Sequence, residues 1–94
     1  MFVRLYKVNI RQNSFGEEQF YLTEVSINVN QISFMSENIY LKDMLKEGKL
    51  NLDLNTRVEF TDLRLNNKEH ITVVGSPSVI ESKILGSTKT LLRG

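Results

Sequence analysis

Arg4, Lys7 and Arg11 stand three and four residues apart near the N-terminus, with Tyr6, Phe15, Phe20 and Tyr21 close by in the chain. Cations that neutralise phosphates and aromatic rings that stack bases are what a single-stranded nucleic acid requires of a protein surface. Arg4, Lys7, Arg11 and Tyr21 are therefore candidate nucleic-acid contacts. A second basic set, Arg57, Arg64 and Lys68, lies further along, and Lys83, Lys89 and Arg93 make the C-terminal stretch locally basic. Acids are interleaved throughout: 12 Lys and Arg against 11 Asp and Glu leave a formal net charge of +1. No global field declares a polyanionic partner.

Other chemistries are poorly provided for. There is one histidine, His70, beside a turn, where an ordinary surface hydrogen bond accounts for it far better than a role as general base. Glu17 and Glu18 sit together in a loop and simply solvate, while Asp43, Glu47, Asp53, Glu59, Asp62 and Glu69 are scattered. The absence of cysteine excludes disulfides, thiol catalysis and cysteine-ligated metals. The five glycines never cluster as a phosphate loop demands. Gly75–Ser76 leads from a strand into a helix start and is a candidate anion site. Serine capping explains the same residues, and Pro77 removes one donor. The expectation is a protein with no catalytic residue, cofactor or metal ligand, which is not an enzyme.

The segment from 39 to 54 is the most apolar excursion, with Ile39, Tyr40, Leu41, Met44, Leu45, Leu50, Leu52 and Leu54. It either folds over its own sheet or forms a contact surface. Ile39, Tyr40, Met44 and Leu45 are the candidate protein interface. Exposed sheet edges offer a further route to association. Protein partnership or self-association as a homo-oligomer is the leading functional expectation, and a small nucleic-acid-binding module is the alternative.

The elements that must position these residues follow from periodicity and turn chemistry. Residues 2–10 and Phe20–Ile27 form a hairpin around the Asn13–Glu18 loop. On the first strand Phe2, Arg4, Tyr6, Val8 and Ile10 share a face and Val3 and Leu5 point the other way. On the second, Tyr21, Thr23, Val25 and Ile27 share a face. After a corner at Asn28–Asn30, a short strand at 31–35 sets Ile32 and Phe34 on one side. Residues 36–55 are either a short helix capped by Ser36 and ended by Gly48, or an ordered loop. Thr56–Leu65 and His70–Gly75 form a second hairpin. A bulge near Thr61–Asp62 would bring Val58, Phe60, Leu63 and Leu65 to one face. Ser76–Pro77 opens a helix that Gly86 ends, leaving 86–94 as a mobile tail or a strand pairing through Leu91–Leu92.

These elements predict a single α+β domain over residues 1–94: a small, mostly antiparallel, curled or barrel-like β-sheet with a C-terminal helix. The length of 94 residues, 40% hydrophobic and 24% charged, fits one globular unit with a modest core. No stretch approaches the roughly 20 apolar residues that span a bilayer. The first seven residues carry charge inside their apolar run, unlike a secretion signal. The expectation is a cytoplasmic protein with no membrane partner.

Asn28 and Asn30 before Ile32, then Thr61, Leu63 and Leu65, a short turn, and Ile71, Val73, Ser76, Val79, Lys83 and Ile84 form a pattern. It resembles the flagellar FlbD-like (swarming-motility) family of small bacterial proteins. Asn67 stands where that family's turn has glycine, and 36–55 is an insertion. The "VVGSP" junction and the "LLRG" end also look like short accessory proteins of large tailed bacteriophages. Both resemblances imply a small β-rich protein acting through contacts, with no catalytic residue. The second implies a phage-encoded accessory factor that binds a host protein.

Overall fold

The computed structural model describes the backbone of residues 1–93 and the side chains of residues 1–86. The elements in chain order are β1 (Phe2–Gln12), β2 (Glu18–Asn28), a single 3₁₀ turn (Val29–Gln31), β3 (Ile32–Glu37), α1 (Ile39–Lys46), β4 (Phe60–Leu65), β5 (His70–Val74) and α2 (Pro77–Arg93). The architecture is α+β. Its five strands form one antiparallel sheet in the order β2-β1-β5-β4-β3. No ladder joins β2 to β3, so the sheet is open and both are edges.

The β1–β2 hairpin is continuous, from the Phe2–Asn28 pair to the Gln12–Glu18 pair. Asn13 organises its loop, its side-chain oxygen accepting from the backbone N–H of Phe15 at 2.9 Å and of Glu17 at 3.0 Å. Residues of one strand alternate between faces, and here both faces carry a core. Val3 and Leu5 of β1 join Ile27, Leu63, Val73 and Ile80 under α2. Val8 joins Leu41, Leu45, Leu50 and Phe60 under α1 and the segment that follows it. Phe60, Leu63, Val73 and Ile80 are fully buried. Each such side chain contributes about 1.5–3 kcal/mol.

This two-sidedness corrects the expected bulge near Thr61–Asp62. The β4–β5 register runs unbroken from Phe60 to Arg64, because Phe60 and Leu63 have different cores to reach. The strand starts at Phe60, not Thr56. The irregularity lies instead in β3, between Ile32 and Phe34. It turns Ile32 toward the α2 core while Phe34, paired with Arg64, goes to the opposite face.

The segment 36–55 does contain a helix, capped by Asn38, two residues after the expected Ser36. Gly48 ends it at φ +73°, and Lys49 N–H donates to the Met44 carbonyl at 2.8 Å. Leu50, Leu52 and Leu54 belong to irregular chain that packs on the α1 core. Asn51 reaches the sheet edge, its side-chain oxygen accepting from the Phe20 N–H at 3.0 Å.

Gly86 does not end the second helix, which continues to Arg93. An interior glycine costs a helix about 1 kcal/mol against alanine but need not stop it. Leu91 and Leu92 lie in this helix, so the expected strand pairing through them does not form.

Gly75 is the position where backbone conformation is most constrained. Its φ is +119°, and a Cβ there would stand 3.1 Å from Ile80 Cδ1. Its N–H donates to the Glu59 carbonyl at 2.8 Å, and its carbonyl accepts from Thr61 Oγ1 at 2.7 Å. Gly75→Ala should therefore destabilise the protein by roughly 1–3 kcal/mol. Gly86→Ala, in helix with nothing among the described residues within 4 Å of the added Cβ, should stabilise it by about 0.5–1 kcal/mol. Urea unfolding of the two variants checks the opposite signs.

Candidate functional site

Each helix covers only part of the face it packs on, and the uncovered parts present the candidate residues. On the α1 side, Asn38 does most of the positioning. Its N–H donates to the Phe60 carbonyl at 2.9 Å, and its side-chain oxygen caps α1 by accepting from Leu41 N–H at 2.9 Å. Its amide donates to Asp62 Oδ1 at 3.0 Å. Thr72 Oγ1 donates to the same oxygen at 2.6 Å. One carboxylate thus ties β4, β5 and the start of α1 together.

Lys42 reinforces this from α1, 3.1 Å from Glu37 and 3.6 Å from Glu59. Its pKa is raised above the ordinary 10.5, first by the hydrogen bond to Glu37, then by the charges of Glu37 and Glu59. Lys49 is raised in the same direction by Glu47.

Two hollows meet at the bonded Asp62–Thr72 pair. One, of about 190 Å³, is lined by Ile10, Glu18, Phe20 and Tyr40 among others. The other, of about 230 Å³, is lined by Phe34, Ser36, Arg64 and His70 as well. Ile10, Phe34 and Tyr40 stand 56%, 60% and 71% exposed, large apolar groups around a polar floor. Arg64 Nη2 lies 3.4 Å from His70 Nε2. Neither Arg64 nor Glu18 has an ion-pair partner among the described residues.

Of the expected protein interface, Ile39 and Tyr40 are exposed, Met44 is half-buried, and Leu45 is in the core. Helical spacing explains the division, since Leu41 and Leu45 share the stripe that docks on the sheet. The grouping of Phe34, Arg64 and His70 escapes a reading of the sequence because a bulge and two strand pairings bring them together.

The four expected nucleic-acid contacts also divide. Lys7, Arg11 and Tyr21 lie on the α2 side of the hairpin, outside the cluster that Ile80 and Ile84 of α2 join. Asn9 and Thr23 join them, with Asn9 Nδ2 donating to Thr23 Oγ1 at 2.9 Å. The Arg11 guanidinium sits over the Tyr21 ring, 5.1 Å from its centre. Arg4 has the other parity and faces the opposite way, its Nε 3.1 Å from Glu24 Oε1. Strand alternation was the signal that separates Arg4 from the rest.

At Gly75–Ser76, Ser76 Oγ accepts from the Val79 N–H at 3.2 Å, as a helix cap does. Among the described residues no group of three or more His, Asp or Glu is placed to hold a metal ion. No helix among them is long and apolar enough to cross a membrane.

No family model, curated protein or solved structure matches the chain.

Asp62→Ala removes the acceptor shared by Asn38 and Thr72 and should cost about 2 kcal/mol in urea unfolding. Thr72→Val, which leaves the Asn38 bond, should cost about half of that. The raised Lys42 pKa gives the ion pair a defined pH window. Its contribution is full below pH 10.5 and is lost as pH rises through the higher folded value. Lys42→Met should abolish that part of the alkaline dependence, measured by thermal melts above pH 10 at low salt.

Proposed function

We propose that this chain is a non-enzymatic interaction module that works by contact through the bare part of its α1 face. The observation that carries this reading is the patch built on Ile10, Phe34 and Tyr40, all more than half exposed. Large apolar groups set around satisfied polar ones, on two strands and the first turn of α1, suit a buried interface core.

The charges at its two ends favour a second copy as the occupant. Glu18 borders one hollow and Arg64 the other. A two-fold axis through the middle sets the acid end of each copy against the basic end of its partner, with the apolar centres facing. An accessory role toward a host protein, as the phage-type resemblance implies, would use the same surface.

Light scattering at roughly 100 μM, where a micromolar dimer is mostly assembled, should give a dimer mass. Phe34→Asp should give a monomer. Glu18→Arg and Arg64→Glu should each weaken association about tenfold, and the double exchange should restore it. A monomeric wild-type chain, or no restoration in the double variant, contradicts self-association through this face.

A further inference from the structure

The α2 side of the long hairpin shows a separation that the linear sequence conceals. Its β1 residues are Val3, Leu5, Lys7, Asn9 and Arg11, and its β2 residues are Gln19, Tyr21, Thr23, Val25 and Ile27. None is acidic. The two acids of these strands, Glu18 and Glu24, have the other parity and lie on the α1 side, where Glu24 holds Arg4. The charges of the hairpin therefore sort into a face that carries only cations and one where Glu18 and Glu24 stand with Arg4.

Away from Ile80 and Ile84, the described α2 side chains that pack on it, this face carries Lys7, Asn9, Arg11, Tyr21 and Thr23. Lys7 and Arg11 have no ion-pair partner among the described residues. They lie four residues apart on one strand, about 13 Å along it. Between them the Asn9–Thr23 pair offers hydrogen-bonding groups, and the Arg11–Tyr21 stack offers planar surface.

We propose that this face binds single-stranded nucleic acid, with Lys7 and Arg11 on phosphates and the Arg11–Tyr21 stack against a base. Single strands are favoured over duplex because stacking against the Arg11–Tyr21 pair needs an unpaired base. Arg4 takes no part. The site is separate from the α1-side patch, so the two readings stand or fall independently.

Fluorescence anisotropy with a labelled oligothymidylate tests it. Two phosphate contacts predict a log–log salt slope of about −1.4. Lys7→Gln and Arg11→Gln should each flatten that slope by about half and weaken binding several-fold. Tyr21→Ala should weaken it about tenfold. Arg4→Gln, which removes the same charge from the other face, should change affinity less than twofold. Circular dichroism of each variant confirms that it is folded. Three results overturn the proposal: no binding at 50 mM salt, an equal loss in Arg4→Gln, or equal displacement by polyglutamate, which would mark an acidic-peptide site.

Discussion

A sheet with a core on each face constrains everything else in this molecule. Neither helix is placed to shield a whole face of five strands, so each covers one region and leaves the remainder open. α2 packs through Ile80 on Val3, Leu5, Leu63 and Val73. α1 packs through Leu41 and Leu45 on Val8 and Phe60 from the other side. The strands that serve both cores change the parity of their apolar residues along their length. β1 does so between Leu5 and Val8, and β4 between Phe60 and Leu63.

The connections into the two helices carry much of the positioning. Gly75 permits the close turn from β5 into α2, with Ile80 against its backbone and both its polar groups bonded to the strand β4 region. Asn38 does the corresponding work for α1, and Asp62 secures it by accepting two hydrogen bonds on one oxygen. Half-buried polar groups satisfied in this way hold an arrangement that apolar packing alone specifies poorly. Among the described residues no buried side-chain polar atom lacks a partner.

The bare regions have different characters because alternation sorts side chains by parity. On the hairpin, odd positions of β1 carry Lys7, Asn9 and Arg11, and even positions carry Arg4, Tyr6 and Ile10. One surface is cationic and polar, the other apolar with compensated charge. A formal net charge of +1 conceals this, since it sums over faces that no single ligand can touch together.

Much of the framework was legible in the chain itself. Hairpin positions, the sharp Asn28–Asn30 corner, the start of α2 at Ser76–Pro77 and the facing of β1 and β2 are local consequences of turn chemistry and period-two alternation. The α+β class with a C-terminal helix followed from them. What the sequence did not disclose is that apolar residues of opposite parity belong to two cores. A mixed strand pattern reads equally well as a bulge serving one core, and only the partners across space decide between them. The same holds for Leu45, which the docking of α1 withdraws into the core. It holds also for the hollow that gathers Phe34, Arg64 and His70 from three strands. Local propensity is a property of neighbours in the chain, whereas a site is assembled by strand order and register, which depend on contacts far apart in sequence.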